Sequence, residues 1–216
     1  MTSKKMGGFA YFISIPALIL IDAGLMTHLI KSVSDFFNEL TLWFIGGASI
    51  GVCLSPLFSS GRLHVFMHET KHAIAASLAG NKWKRMNVEG ESGSYEYSYT
   101  KRTAHLNAFI ALAPYWLPLL TFPMAFLALA IRSPEGARLL IGATCCIDLI
   151  CGVKDLGPHQ SDLRNIRGGT LLASSYVLLM NLMIAAVTAT WASSGFQGLK
   201  GIAWGLFVFF KRLIFN

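Results

Sequence analysis

Charge is what this chain has least of. Only 13% of its 216 residues are charged and 54% are hydrophobic, whereas a soluble domain carries roughly 25% charged residues. That scarcity excludes an ordinary water-soluble protein. Cysteines at metal-binding spacing are missing too. Cys53, Cys145, Cys146 and Cys151 all fall in apolar runs without a CxxC, which argues against a thiolate zinc site or a disulfide framework and leaves small packing residues. Internal repeats, low-complexity tails and soluble domains are absent, so residues 1–216 read as one domain.

The apolar residues are gathered into long runs. Gly7 to Met26 carries one charge, Asp22; Leu40 to Phe58 and Ala104 to Ile131 carry none; Ala137 to Val153 holds Arg138 and Asp148; Thr170 to Ala192 is uncharged. About twenty apolar residues cross a bilayer, so the runs predict an all-α polytopic membrane protein with about six transmembrane helices. The first run is longer than the h-region of a signal peptide, and it reads as a retained helix. "GIAWGLFVFFKRLIF", near the C-terminus, is either a short span or a helix on the membrane surface. Pro114, Pro118 and Pro123 predict a kink in the Ala104–Ile131 run. Asp22 and Asp148, inside spans, are candidates for buried polar partners or a water path.

One stretch is less apolar and carries chemistry. "RLHVFMHETKHAIAASLAG", Arg62 to Gly80, reads as a helix ended by Gly80 and Asn81. His68 and His72 are four apart and share a face, with Glu69 beside them. This HExxH spacing lets two imidazoles bind one Zn²⁺ while the glutamate acts as general base on a metal-activated water. His64 extends the pattern. However, eight residues of helix separate it from His72 by about 12 Å, too far for both to reach one ion at about 2 Å. A supporting or interfacial role is left for it.

A catalytic zinc site wants a third protein ligand and an open position. No glutamate follows Glu135; instead "DLICGVKDLGPHQSDLRNI" offers Asp148, Asp155, His159 and Asp162. Two spans separate the exit of the HExxH helix from this stretch, so segments 81–103 and 154–168 emerge on one face. Asp162 is favoured, with Asp155 and His159 as alternatives and a helix N-cap as the competing use of Asp162.

A membrane HExxH, a polar hairpin, an Asn near the start of a span and a late Asp together resemble the site-2 protease family of intramembrane zinc metallopeptidases. They are also similar to a bacterial group of zincin-like membrane peptidases near it. The resemblance covers roughly Arg62 to Ala192, the expected catalytic core. It implies that His68, His72 and Asp162 bind zinc, that Glu69 is the base, and that Asn107 in "AHLNAFIALAP" helps bind substrate or the oxyanion. The chain departs from the family pattern at Lys71, where a small residue is usual. It also has "AHLN" in place of a Gly-Pro before the Asn, and "GPHQSDL" around the Asp.

Between Asn81 and Thr100 the sequence turns polar, and "SYEYSYT" alternates with period two after the turn-forming "EGESG". A short β-hairpin after the HExxH helix is expected. Either its edge pairs with an extended substrate, or it is an ordinary surface hairpin. The net charge of +7 lies in the loops, which points to the anionic leaflet of a lipid bilayer and away from nucleic acid. Lys82, Lys84, Arg85, Lys101, Arg102, Lys154, Arg164 and Arg167 place the catalytic mouth on the cytoplasmic side. If Lys4 and Lys5 are inside as well, the HExxH helix is only partly inserted.

The expected function is a zinc-dependent, membrane-embedded endopeptidase of a bacterial inner membrane, acting on membrane protein or peptide substrates. Two rivals stand beside it: a non-catalytic membrane protein (a transporter subunit or chaperone-like partner) with a degenerate site, and a zinc hydrolase of another amide or ester. Survival of biological activity after His68→Ala would favour the first, and product analysis separates the second.

Overall fold

The computed structural model describes residues 9–31, 38–157 and 160–215; Lys4, Lys5 and His159 lie outside them. The chain is mostly α-helical, with one small antiparallel sheet. Helix α1 (Phe9–Lys31) is followed by α2 (Glu39–Phe58) and α3 (Gly61–Leu78). Strands β1 (Lys82–Glu89) and β2 (Ser92–Ser98) follow as a hairpin. Then come α4 (Asn107–Leu112), α5 (Thr121–Ala130), α6 (Pro134–Asp155), the short α7 (Ser161–Arg164) and α8 (Gly169–Phe215).

Local chemistry sets these boundaries. The Asn38 side chain accepts from the Thr41 N–H at 3.0 Å and starts α2. Ser133 accepts from the Gly136 N–H at 3.0 Å, with Pro134 in the first turn of α6. Helix α3 ends where the sequence places its stop. Gly80 takes φ 75°, and the Asn81 N–H reaches back to the Ala76 carbonyl at 2.9 Å.

Three helices are long and apolar enough to cross a membrane: α2, α6 and residues 169–211 of α8. Two shorter apolar helices, Tyr11–Thr27 within α1 and α5, accompany them. Helix α3 is not among these candidates. The expectation of a separate C-terminal helix is met by a different device. Helix α8 breaks at Gly195, where φ is 58°, and Leu199, Ile202 and Leu206 pack in one cluster with Met183, Ala186 and Val187. The arm after the glycine therefore lies back along the arm before it.

The run from Ala104 to Ile131 is not one kinked helix. It divides into a 3-10 turn at Ala104–Leu106, α4, a second 3-10 turn at Ala113–Tyr115, an open stretch and then α5. Prolines four residues apart explain the break. Pro114 and Pro118 supply no N–H, so the carbonyls of Ile110 and Pro114 lose their helical donors. Asp148 of α6 starts the helix again beyond the break: its carboxylate accepts from the N–H groups of Leu120 and Thr121 and from the Thr121 hydroxyl. The expected role of Asp148 as a buried polar partner is thus filled. Asp22, also buried, has no hydrogen-bond partner among the described residues.

Small residues let α2 and α6 approach backbone to backbone. A Cβ on Gly47 would collide with the carbonyl of Leu139, one on Gly51 with that of Ala143, and one on Gly142 with that of Phe44. This is the close helix contact that small-xxx-small spacing allows in a bilayer. Gly142→Val is therefore expected to lower stability by about 1–3 kcal/mol, as overpacking does. Gly46→Ala, which meets nothing within 4 Å, should leave stability unchanged. Thermal unfolding of both variants in detergent checks the contrast.

Candidate metal centre

Helix α3 sets out His64, His68 and His72 one turn apart on one face. His68 and His72 turn their Nε2 atoms towards Asp162 of α7, the short helix that follows α6. The Asp162 Oδ2 lies 3.4 Å from His72 Nε2 and 3.8 Å from His68 Nε2. All three ligand atoms lie within 4.8 Å of one another. Ligands about 2 Å from a tetrahedral Zn²⁺ sit roughly 3.3 Å apart, so a small contraction of this trio would close on one ion.

The remaining nitrogens are committed elsewhere. His72 Nδ1 donates to the Ile110 carbonyl at 2.9 Å, one of the two carbonyls that the proline break releases. His68 Nδ1 donates to Asp155 Oδ2 at 3.0 Å, and His64 Nε2 donates to Asp155 Oδ1 at 2.7 Å. With Nδ1 acting as donor, each imidazole keeps its Nε2 lone pair for a metal. The structure thus brings together His68, His72 and Asp162. It turns Asp155, an alternative third ligand in the sequence, to the opposite nitrogen of His68. His159, the other alternative, is outside the described residues.

Glu69 is buried and lines the same cavity as the trio. That cavity is about 360 Å³, and its other walls come from Gly93, Ser94, Tyr95 and Tyr97 of β2, Ile110 and Ala111 of α4, and Ser161 of α7. Burial raises the Glu69 carboxyl above its ordinary pKa, against the pull of His72 and His68. Burial also opposes the charged form of Asp162, but the neighbouring His68 and His72 imidazoles outweigh that and hold its pKa well below the usual carboxylate range. For His68 burial pulls the pKa down, but the hydrogen bond to Asp155 and the nearby Asp162 carboxylate overcome it and leave it at about 9.

Asn107 heads α4 and is buried, with its Oδ1 lacking a hydrogen-bond partner among the described residues. It does not line the cavity itself. It lies one turn before Ile110 and Ala111, which do. Lys71, the departure from the expected small residue, is buried, and its Nζ donates to the Pro114 carbonyl at 3.1 Å. This is the second carbonyl released by the proline break. Burial lowers the Lys71 pKa, while the nearby charges of Asp148 and Asp155 support its ionised form.

Residues 53–157 match the Peptidase M50B-like family. It is a site-2 protease family, and the resemblance read from the sequence is borne out. No curated protein and no solved structure matches the chain. The matched stretch includes the HExxH helix, the hairpin, the broken segment and α6, and it stops five residues before Asp162. With the apolar helices, the match supports an integral membrane protein whose residues 53–157 resemble a membrane metallopeptidase family.

Several site residues escape sequence reasoning. Tyr115 is fully buried and meets His68 edge-on, ring centroids 5.8 Å apart; in the sequence it is one more aromatic in an apolar run. Gly93 looks like turn chemistry, yet it lets β2 lie directly on Glu69. A Cβ there would stand 2.7 Å from Glu69 Oε1 and 2.5 Å from Val65 Cγ1. Because the obstructed atoms are all side-chain atoms of Glu69 and Val65 and none is backbone, Gly93→Ala should displace the Glu69 carboxylate and leave the fold intact. The expected outcome is a peptidase rate reduced at least about tenfold at unchanged metal content and melting temperature, read from turnover, elemental analysis and thermal unfolding of the same preparation.

Proposed function

We propose that the protein is a zinc-dependent, membrane-embedded endopeptidase that hydrolyses peptide bonds in membrane protein segments, with His68, His72 and Asp162 as ligands. The observation that carries the reading is a two-imidazole, one-carboxylate donor set and a buried glutamate on the wall of one cavity. Three protein donors with a position left open is the catalytic pattern for zinc, whereas structural sites close with four. When bound, zinc acidifies water and polarises a carbonyl oxygen.

The chain's own residues supply the rest. Glu69 takes the proton of the attacking water and passes it to the leaving amine; its raised pKa suits both steps. Asn107, buried one turn before the cavity-wall residues Ile110 and Ala111, is the nearest amide side chain on α4 that could donate to the oxyanion developing on the substrate. A helical substrate hides its carbonyls in its own hydrogen bonds, so it must be held extended to be cut. Strand β2 lines the cavity, and β1 is its sole strand partner among the described residues. Its other edge is available to pair with such a segment. The exposed Lys82, Lys84, Arg85, Lys101, Arg102, Lys154, Arg164 and Arg167 support a mouth on the cytoplasmic side of a bacterial inner membrane.

Glu69→Gln separates chemistry from metal binding. In detergent or proteoliposomes, with fluorogenic peptides taken from transmembrane segments, the variant should keep its metal and lose about 10²–10⁴-fold in cleavage rate. Cleavage at the wild-type rate would show that Glu69 is not the base and that this reading of the site is wrong.

A further inference from the structure

His64 and Asp155 have no place in the proton transfers above, yet their contact with each other, at 2.7 Å, is shorter than any other hydrogen bond made by the histidines of α3. Asp155 closes α6 and is buried, and each of its carboxylate oxygens is used by a different histidine of α3. Oδ2 accepts from His68 Nδ1 at 3.0 Å, and Oδ1 accepts from His64 Nε2 at 2.7 Å. His68 Nδ1 is the ring nitrogen opposite the one that faces Asp162. Asp155 therefore touches the outer edge of a candidate ligand and not the position a metal would fill.

We propose that Asp155 and His64 are positioning residues for the metal: Asp155 fixes the tautomer and ring plane of His68, and His64 fixes Asp155. The inference rests on the zinc reading of the site. A carboxylate that accepts from Nδ1–H allows only the tautomer with a free Nε2 lone pair, and it makes that nitrogen a better donor. A carboxylate held by one hydrogen bond could still swing about its own Cβ–Cγ axis. The second bond, from His64 one turn earlier on the same helix face, removes that freedom. The neighbouring Lys154 Nζ donates to the Ser59 carbonyl at the end of α2, so the end of α6 that carries Asp155 is itself tied to the α2–α3 connection. The motif is thereby extended to HxxxHExxH, with the first histidine acting on the metal through a carboxylate.

Cobalt binding to the full chain in detergent tests this without relying on activity. Wild type, Asp155→Asn, His64→Ala, His64→Gln, the double variant Asp155→Asn/His64→Ala and His68→Ala would be titrated with Co²⁺. Affinity, stoichiometry and the visible ligand-field spectrum would be recorded for each. Asp155→Asn should weaken Co²⁺ binding by about 10–100-fold and shift the spectrum while still reaching one ion per chain at saturation. His64→Ala should weaken binding less. His64→Gln, which keeps an N–H for Asp155, should restore most of the affinity. In the Asp155→Asn background, His64→Ala should add nothing, because its route to the metal is already broken.

Unchanged affinity and spectrum in Asp155→Asn would overturn the proposal. So would loss of stoichiometry in that variant, which would make Asp155 a ligand, or an additive effect in the double variant. If Asp155→Asn fails to fold, the contrast between His64→Ala and His64→Gln decides alone, and equal affinities would sink the idea. A wild type that binds no more Co²⁺ than His68→Ala would remove the zinc reading itself, and this pattern is distinguishable from every other outcome.

Discussion

A charge buried in apolar surroundings is tolerated only when it is paired or hydrogen-bonded, and breaking such a pair typically costs about 3–5 kcal/mol. Of the charges this chain buries, Lys71, Asp148 and Asp155 are given partners by the elements around them, whereas Asp22 has no hydrogen-bond partner among the described residues. Asp148 is satisfied by the start of α5, Lys71 by the Pro114 carbonyl, and Asp155 by two histidines of α3. Each contact ties α3 or the broken segment to another element, and together they surround His68, His72 and Asp162. The polar groups that make the site possible are also those that hold its walls in register.

The proline break is the second half of that arrangement. In an unbroken helix the carbonyls of Ile110 and Pro114 would each accept a main-chain N–H four residues on; with proline at 114 and 118 those donors do not exist. The Pro114 carbonyl is taken by Lys71, and the Ile110 carbonyl, which keeps a shorter main-chain bond from the Ala113 N–H, also accepts from His72, the next residue of α3. Gly152 lets α6 come against the backbone of Tyr115, since a Cβ there would lie 2.6 Å from the Tyr115 carbonyl oxygen. Irregular backbone at membrane depth persists only where protein buries it. Here it is covered by α3 on one side and α6 on the other, and it supplies acceptors that a regular helix would have used internally.

Much of this was legible in the sequence. The apolar runs gave the helical, membrane-embedded class because hydropathy over twenty residues is a strong signal. His68, Glu69 and His72 were legible because their spacing is tied to the helical period. Counting spans placed Asp155 and Asp162 alike on the face of the HExxH exit, and the family resemblance, not the count, singled out Asp162. Other features were hidden for physical reasons. A run such as Ala104–Ile131 has the hydropathy of one span, and only the four-residue spacing of its prolines hints at which carbonyls are released. The reversal at Gly195 falls among apolar residues on both sides, so hydropathy does not mark it. Asp155 and His64 could be seen as ionisable groups near the motif. Which nitrogen of which ring they meet depends on how α6 packs on α3, and no local pattern encodes that.

The central claim is that His68, His72 and Asp162 form one zinc site. Its most direct test is the zinc content, by elemental mass spectrometry, of detergent-purified wild type beside His68→Ala and Asp162→Ala. About one zinc per chain in the wild type, as a single three-ligand site requires, with loss in both variants, is the predicted result. A wild type without zinc even after resupply, or an Asp162→Ala variant that keeps its full complement, would contradict it.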